Sequence, residues 1–291
     1  MIIRILRIAG IAVVSVLVLL VGTYAYFYYS TQARINKQYA VTPQFLPITA
    51  DTAQLAYGAR LTITKACQEC HGENLGGRVF LDDPALGRVI ARNLTEGKGG
   101  LPPDYEVADW VRALQHGVGR DGKPLLIMPS HEFTLLTGRD MAAIIAYARQ
   151  VPPVDNELPD HQLKPLTYVL TALDKIPLLP AEMIDHERKL EAEIKEDVTV
   201  EFGKYLSSAC QGCHRADMKG GEPIAPGFPV VANLTSSGNV GKWTEEQFIH
   251  TLRTGKTPEG KELDPKDMPW PITAAYTDTE LKALYLYLKS I

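Results

Sequence analysis

Cys67-Gln68-Glu69-Cys70-His71 and Cys210-Gln211-Gly212-Cys213-His214 are two copies of one pattern, Cys-x-x-Cys-His, and together they contain all four cysteines of the chain. Two thiols at this spacing can add to the two vinyl groups of one porphyrin, and the adjacent His can ligate the iron. A redox dithiol or a zinc site could also use such cysteines, but zinc would leave both His residues unexplained. The pattern predicts two covalently attached haem c groups, bound through Cys67, Cys70, Cys210 and Cys213, with His71 and His214 as iron ligands.

The residues around the two motifs recur in the same order, which indicates a duplicated unit. The matching segments, first copy before second, are Tyr57-Gly58-Ala59-Arg60-Leu61 with Phe202-Gly203-Lys204-Tyr205-Leu206, Leu75-Gly76-Gly77 with Lys219-Gly220-Gly221, Ala91-Arg92-Asn93-Leu94-Thr95 with Val231-Ala232-Asn233-Leu234-Thr235, and Ile127-Met128-Pro129 with Asp267-Met268-Pro269. The duplication predicts two similar domains, each containing one motif.

Each unit is predicted to be helical, with loops between the helices. Thr137 and Thr277 have the character of helix N-caps, because an acidic residue follows each of them three positions later. Apolar residues then recur at helical spacing and predict one inward face in the last helix, formed by Leu281, Leu284, Leu288 and Ile291. No sustained alternation of apolar and polar residues predicts a large sheet. The predicted fold class is therefore all-α.

Met128 and Met268 are the predicted second axial ligands of the two irons. They hold matching positions in the repeat, and the Pro after each biases the Met toward an extended conformation that suits a ligand-presenting loop. Met141 is interpreted as a packing residue and Met183 as a linker residue. Met218 lies only four residues after His214, too close to reach the far face of the same porphyrin. Two His residues near Met128 have no counterpart in the second copy and are weaker candidates, namely His116 and His131.

Four further residues in the duplicated units could contact a haem edge or a propionate: Asn93, Asn233, Tyr105 and Trp243. Polar and aromatic groups of this kind tune such a centre by hydrogen bonding or by covering it. Turn formation by the Asn residues and ordinary core packing by the aromatic residues would account for the same pattern. The sequence leaves both interpretations open.

The N-terminal region, 1–33, is predicted to be a transmembrane anchor. The run from Ile8 to Tyr29 carries no charge and would reach roughly 33 Å as a helix, enough to cross a hydrocarbon core of about 30 Å. Arg4 and Arg7 precede this run, so the positive-inside rule places the rest of the chain outside the cytoplasm. A cleaved signal peptide is the alternative, but the run is long for one and no small-x-small cleavage site follows it.

The organisation predicted after the anchor is a juxtamembrane linker at 34–54, a first haem domain at 55–151, an interdomain linker at 152–199 and a second haem domain at 200–291. The interdomain linker is first rich in Pro and then in charge, but it also contains many apolar residues, too many to leave exposed as free coil. It is therefore expected to pack against the haem domains and to fix their relative position.

The charge of the chain excludes one class of partner. The 30 Lys and Arg residues and 34 Asp and Glu residues give a formal net charge of −4. A nucleic-acid-binding protein would need a strongly basic face to meet the phosphates. No nucleic-acid partner is expected.

Cys-x-x-Cys-His, a downstream Gly-Gly, Asn-Leu-Thr and Met-Pro, in this order and twice over, resemble class I cytochrome c domains. More specifically, residues 55–151 and 200–291 are similar to the multihaem cytochrome subunits of bacterial membrane-bound alcohol and gluconate dehydrogenases. The resemblance implies all-α haem c domains that relay electrons in the periplasm. The predicted anchor would hold these domains on the periplasmic side of the cell inner membrane by a single pass. The chain differs in having an N-terminal anchor and two haem domains where those subunits often have three.

The leading hypothesis is a non-enzymatic electron-transfer protein that passes electrons between a respiratory or photosynthetic donor and an acceptor through two His/Met-ligated haems. An iron with both axial positions filled exchanges electrons with little rearrangement, whereas an open iron can activate a small molecule. One alternative is therefore a dihaem peroxidase-type enzyme with one open iron. The other is a cytochrome subunit of a membrane-bound dehydrogenase or of a larger respiratory or photosynthetic complex.

Overall fold

The computed structural model describes residues 2–224 and 228–291, and the chain is mostly helical. The helices are α1 (Ile2–Ile35), α2 (Thr52–Thr64), α3 (Cys67–His71), α4 (Val107–His116), α5 (Ser130–Phe133), α6 (Gly138–Ala148), α7 (Pro165–Ala172), α8 (Val200–Ser207), α9 (Gln211–His214), α10 (Asn239–Lys242), α11 (Glu245–Thr254), α12 (Trp270–Ala274) and α13 (Asp278–Ser290). The strands are β1 (Arg78–Asp83), β2 (Gly87–Ala91) and β3 (Gln162–Leu163), and short 3₁₀ turns lie at Pro180–Met183 and Ser208–Cys210.

Helix α1 is long and apolar enough to cross a membrane, judged by its length and composition. Its large apolar side chains are exposed along most of its length, from Ile2 to Tyr29. Near its C-terminal end Thr31 is buried, and its hydroxyl donates to the carbonyl oxygen of Tyr168 (2.9 Å). The helix therefore stands away from the rest of the protein and rejoins it only at this end.

Two similar helix pairs form the centres of the two domains. Helix α2 crosses α6 at Gly58, and α8 crosses α13 at Gly203. A Cβ on Gly58 would collide with the carbonyl oxygen of Ala143, and a Cβ on Gly203 would collide with that of Ala283. Because glycine has no Cβ, both pairs can approach this closely. The repeat in the sequence is thus a repeat in the structure.

Matching residues also fill the two cores, namely Leu61 and Leu206, Leu75 and Met218, Trp110 and Phe248, Leu114 and Leu252, and Met141 and Leu281. The predicted N-caps are present. The amide of Asp140 donates to the hydroxyl of Thr137 (3.1 Å). The amide of Glu280 donates to the hydroxyl of Thr277 (3.2 Å), and the amide of Thr277 donates back to the Glu280 carboxylate (2.7 Å), which completes a capping box.

A small antiparallel sheet, with strand order β1-β2-β3, corrects the all-α prediction. Strands β1 and β2 form a hairpin in which Arg78 pairs with Ala91, and β3 adds to its edge where Gly87 pairs with Leu163. The carboxylate of Asp83 accepts the amides of Ala85 and Leu86 (2.8 Å each) and so closes the hairpin turn. The third strand comes from the interdomain linker, which local periodicity cannot reveal.

The interdomain linker packs against the domains, as predicted. Several of its apolar side chains are buried, namely Leu178, Leu179, Ala181, Ile184 and Leu190. Its backbone also accepts the amides of Gly138 (at Glu191, 2.7 Å) and Arg139 (at Ala192, 3.0 Å) at the start of α6. This segment therefore fixes the first domain rather than acting as a free tether.

The two domains meet through the N-terminal ends of α6 and α13. The Asp140 carboxylate accepts the hydroxyl of Tyr57 from its own domain (2.8 Å) and that of Tyr205 from the second domain. Arg60 of the first domain donates to Glu280 of the second (2.6 Å). Positions 60 and 205 match in the repeat, as do 140 and 280. The interface therefore has approximate two-fold symmetry, and both of these acidic groups are partnered across it.

Tyr205→Phe is expected to weaken the contact between the domains by about 1–2 kcal/mol, because the charged acceptor Asp140 loses the hydroxyl donor from the other domain. Tyr57→Phe is the matched control, since it removes a donor within one domain and introduces the residue found at position 202. Differential scanning calorimetry should resolve two unfolding transitions in the Tyr205 variant and one in the Tyr57 variant. The same separation in both variants would contradict an interdomain role for Tyr205.

Candidate haem sites

Both Cys-x-x-Cys-His stretches lie on short helical turns that follow the first long helix of their domain. The first motif forms α3, and the second runs from the end of the Ser208–Cys210 turn through α9. Ala66, in the left-handed conformation (φ 57°), separates α2 from α3 and redirects the chain. The four cysteines form no disulfides and are available for two thioether pairs.

The two motif His side chains are oriented in the same way. Nδ1 of His71 lies 2.8 Å from the carbonyl oxygen of Arg92, and Nδ1 of His214 lies 2.9 Å from that of Ala232. A protonated Nδ1 can donate to each carbonyl, which leaves the lone pair on Nε2 for a metal. A backbone acceptor commonly orients a metal-bound His in this manner. The residues present therefore fit a haem iron at each Nε2.

Burial keeps the motif side chains neutral. It lowers the pKa of His71 and of His214, so both imidazoles stay unprotonated at one nitrogen. It raises the pKa of Cys67 to about 12 and that of Cys210 to about 11. Within residues 2–224 and 228–291, no group of three or more His, Cys, Asp or Glu is placed to hold a metal ion. The zinc interpretation gains no geometric support.

Met128 and Met268 lie on matching loops. The Pro after each has nearly the same backbone angles, with φ −77° and ψ 51° at Pro129 and φ −74° and ψ 59° at Pro269. Each Met carbonyl accepts the amide two residues later at 2.7 Å. Both side chains are partly buried against the core of their own domain. Both thioethers are thus presented from one place in the duplicated fold, while their ligation of iron stays a prediction.

Ile127, directly before Met128, has a φ of 59°. A β-branched residue rarely adopts this left-handed region, and such strain persists only where the surroundings enforce it, often at ligand sites. Here the Ile127 amide donates to the carbonyl oxygen of Leu178 in the interdomain linker (2.8 Å). The linker therefore helps to hold the Met128 loop in place.

Met141 and Met183 have the structural positions that the sequence predicted for them. Met141 is fully buried on α6. Met218 is also fully buried, and it takes the place of Leu75 in the first domain, with a positive φ at both positions. This corrects the sequence alignment of Leu75 with Lys219 by one residue, because the amides of Leu94 and Leu234 donate to the carbonyl oxygens of Leu75 and Met218. Met183 lies in a 3₁₀ turn of the interdomain linker and is 60% exposed.

The predicted contact residues Asn93 and Asn233 hold the loops that follow each motif. The Asn93 side chain accepts the amide of Thr95 (2.9 Å) and donates to the carbonyl oxygen of Val154 (2.7 Å). The Asn233 side chain accepts the amide of Thr235 (2.8 Å) in the same way. Their amide groups are therefore engaged in turns, and contact with haem stays a prediction.

Tyr105 and Trp243 lie partly buried against the cores of their domains. Tyr105 stands edge-on to Trp110, with 5.6 Å between the ring centres, and both help to line a cavity of about 180 Å³ whose lining includes neither the first motif nor Met128. Trp243 donates its indole N–H to Glu259 (2.8 Å). These contacts are those of packing residues, and a role at the haem edge stays a prediction.

His116 and His131, the weaker ligand candidates, have different surroundings. His116 is buried at the end of α4, with its Nδ1 3.2 Å from Nδ1 of His186 in the interdomain linker. His131 lies on α5, three residues after Met128, and its Nδ1 is buried without a hydrogen-bond partner among the described residues. Nε2 of His116 is also buried without a partner among the described residues, so it is the position of His131 beside Met128 in the chain that makes it the nearer competing candidate for the first iron.

Stability is expected to fall in acid because of His116. Burial and the neighbouring His186 lower the pKa of His116 from 6.5 to about 4. As the pH falls from 6.5 toward 4, the unfolded chain takes up a proton that the folded protein refuses, which costs up to about 3 kcal/mol. Urea unfolding across this range should show a steeper loss of stability in the wild type than in His116→Gln. Parallel profiles would rule out this linkage.

The second motif contacts the first domain directly. Glu132 on α5 places its carboxylate 3.0 Å from the point that a Cβ on Gly212 would occupy. Lys65 is buried at the end of α2, with its ammonium 5.1 Å from the ring centre of Tyr205. Burial raises the pKa of Glu132 to about 7. Helix α12, the counterpart of α5, contacts α2 in return, so both candidate haem sites lie beside the domain interface.

Sequence reasoning missed the carbonyl oxygens that orient the His side chains and the groups at the domain interface. The carbonyls belong to Arg92 and Ala232, which directly precede Asn93 and Asn233, so the repeated segment carried a usable signal. Glu132 and Lys65 have no matching residue type in the other copy. Their role depends on how the domains dock, which no local pattern reports.

These features are two similar helical units, each with one Cys-x-x-Cys-His motif whose His is oriented by a backbone carbonyl. A model of the family described as cytochrome c matches residues 55–152 and 200–291, well over half of the chain. The chain belongs to the cytochrome c family, which implies covalently bound haem c. The resemblance found in the duplicated motifs is thereby confirmed.

The relatives with similar sequences include cytochrome subunits of three dehydrogenases. The chain is 26% identical to the fructose dehydrogenase cytochrome subunit of Gluconobacter japonicus, over 84% of this chain and 54% of that protein. It is 24% identical to the alcohol dehydrogenase (quinone) cytochrome c subunit of Gluconobacter oxydans, over 81% of this chain and 53% of that protein. It is 34% identical to the gluconate 2-dehydrogenase cytochrome c subunit of Pantoea cypripedii, over 31% of this chain and 23% of that protein. The chain thus spans about half the length of the first two relatives.

Proposed function

We propose that the chain is a membrane-anchored dihaem c-type cytochrome that relays electrons as the cytochrome subunit of a membrane-bound dehydrogenase complex. The haem c groups would supply one-electron exchange at iron. The chain itself would supply attachment, axial ligands and a fixed relative position of the two sites. It would act as an electron carrier and not as the enzyme that oxidises the substrate.

The observation that carries this proposal is the duplicated geometry of the two sites. Each motif His donates to a backbone carbonyl at the same point of the repeat, at 2.8 and 2.9 Å, and each domain presents a Met from a matching loop. Two independent catalytic roles would not require the same arrangement twice. Two electron carriers in series would require the same arrangement twice. Each iron needs both axial positions filled to exchange electrons with little rearrangement.

Each domain would hold one haem. The domain at 55–151 would use Cys67 and Cys70 for attachment and His71 and Met128 as ligands. The domain at 200–291 would use Cys210, Cys213, His214 and Met268. The contact of Glu132 with the second motif at Gly212 brings the two sites to one interface, which favours electron exchange within the molecule.

The partners follow from the anchor and from the relatives. Helix α1 would cross the inner membrane once, with Arg4 and Arg7 on the cytoplasmic side and the haem domains in the periplasm. The relatives are cytochrome subunits of fructose, alcohol and gluconate dehydrogenases. A dehydrogenase that oxidises a sugar or an alcohol is therefore the proposed electron donor.

Extraction of the full-length protein from membranes in mild detergent tests the proposal. We expect a dehydrogenase to copurify, and the ferric cytochrome to become reduced when a sugar or alcohol substrate is added. Removal of the dehydrogenase by a salt wash should abolish this reduction. Sustained peroxide consumption by the purified reduced cytochrome, without a copurifying dehydrogenase, would overturn the proposal in favour of a peroxidase-type enzyme.

A further inference from the structure

Helix α7, in the interdomain linker, turns its apolar side outward. The residues Leu166, Val169, Leu170 and Leu173 recur at helical spacing and form an apolar stripe. Leu166 is 42% exposed and Leu173 is 48% exposed, whereas Val169 and Leu170 between them are partly buried. The buried side carries Thr167 and Thr171 instead. A helix on a water-facing surface shows the reverse pattern, with its apolar side buried.

The buried side of α7 is attached to the end of α1. The ring of Tyr168 lies 4.9 Å from that of Tyr28, and the carbonyl oxygen of Tyr168 accepts the hydroxyl of Thr31 (2.9 Å). One turn further along both helices, the carbonyl oxygen of Thr171 accepts from Arg34 (2.7 Å). Because the later residues of α7 meet the later residues of α1, the helices run parallel. Leu166 therefore lies at the membrane-facing end of α7.

The depth of α7 relative to a bilayer follows from α1. The uncharged run begins at Ile8, and about 20 residues of helix from there span a hydrocarbon core of about 30 Å. That length ends close to Tyr28, so Tyr168, which packs against Tyr28, lies at the edge of the hydrocarbon region. Beyond this level Arg34 pairs with Glu182 and Asp174, as expected on the aqueous side.

Other contacts prevent α7 from moving away from this position. The hydroxyl of Thr167 donates to the carbonyl oxygen of Leu86 (2.6 Å), and the Lys164 ammonium donates to that of Pro84 (2.7 Å). These acceptors belong to the β1–β2 hairpin of the first domain. Helix α7 is therefore fixed to the anchor on one side and to the first domain on the other.

We propose that α7 is a second membrane contact, whose membrane-facing end enters the lipid–water interface with Leu166 and Val169 toward the acyl chains, while Leu173 lies at the head-group level near Arg34. The proposal rests on the membrane anchor of the proposed function. Apolar side chains in a helix at this depth gain by entering the acyl boundary, and the exposed Lys175 next to the stripe suits anionic head groups. With two contacts, the first haem domain would have a fixed height and orientation above the membrane.

Spin labels on the haem-loaded full chain in single-copy nanodiscs test this placement. The motif cysteines are consumed in thioethers, so one added cysteine can be labelled selectively in each of Leu17→Cys, Leu166→Cys and Leu286→Cys. Leu17 reports the bilayer, and Leu286 on α13 is the matched control because it is 40% exposed, close to the value for Leu166. The readout is collision of the label with oxygen, which concentrates in lipid, and with a water-soluble nickel chelate.

We expect the label at 166 to resemble that at 17, with oxygen collisions favoured several-fold over the control at 286. A label at 166 that matches 286, while 17 reports lipid, overturns the placement of α7 and leaves the anchor intact. A label at 17 that reports water overturns the anchor and this proposal together. A label at 166 that is shielded from both reagents also overturns the proposal, because a protein then covers the stripe.

Discussion

Replacement of Cys210 and Cys213 by Ser is expected to remove one covalent haem and to leave the other in place. The thioethers of the second domain would be lost, while the first domain keeps its motif and its own hydrophobic core. Replacement of Cys67 and Cys70 should do the same for the other site. Intact mass under denaturing conditions should show two haems in the wild type and one in each double variant.

Gln211→Ala is a matched control within the second motif, because this position separates the cysteines and supplies no thiol. It should retain both haems. Loss of both haems from one double variant would mean that the domains mature as a unit, and retention of both would disprove attachment at the replaced cysteines.

The chemistry of the sites was largely predictable from the sequence because it is local. Two thiols and a His within five residues can serve one porphyrin whatever surrounds them, and a Met-Pro at the same place in both units indicates a shared role. The crossing at Gly58 and Gly203 could also have been predicted, since both glycines precede their motif at matching positions. The same residues recur in both units because each unit packs the same pair of helices at the same close crossing.

Pairing between distant segments was not predictable. Strand β3 joins β2 from a segment about seventy residues later, and its two residues carry no strand pattern of their own. Asp140 accepts Tyr205 from the other domain, although each residue alone looks like an ordinary helix residue. These contacts depend on how helices, strands and domains pack against one another. That packing is determined by many weak contacts between residues that are distant in the sequence.

Periodicity also fails at helix ends. Ile291 continues the spacing of Leu281, Leu284 and Leu288, but it is 38% exposed, whereas those three are buried. Helix α13 ends at Ser290, and the carbonyl oxygen of Ile291 accepts the amide of Ser236 (2.8 Å). A helical pattern predicts a face only as far as the helix itself continues.

Met128→Ala and Met268→Ala are each expected to abolish the Met–iron charge-transfer absorption of one haem. Loss of the thioether should also lower the midpoint potential of that haem by on the order of 0.1 V or more, because a His/Met pair raises the potential of a c-type centre. The affected haem should then bind small ligands such as cyanide faster, since one axial position is open. Each single variant should lose about half of the charge-transfer intensity, and the double variant should lose all of it.

Two controls come from the repeat itself. Met141→Leu introduces the residue found at Leu281, and Met218→Leu introduces the residue found at Leu75. Both side chains are fully buried, so these variants test whether loss of a core thioether alone alters the spectrum. Neither should change the charge-transfer band. A change in either control would show that packing, rather than ligation, sets the band.

His131→Ala separates the competing ligand from Met128 at the first iron. If Met128 binds the iron, the His131 variant keeps the band and the potential, because the axial thioether is still in place. If His131 binds instead, Met128→Ala leaves both readouts unchanged and His131→Ala alters them. The geometry favours Met128, since its loop matches that of Met268 in backbone angles and hydrogen bonds, whereas position 131 corresponds to no His in the second domain. An unchanged band in Met268→Ala, where no His competes at the matching position, would remove the His/Met assignment from the second site outright.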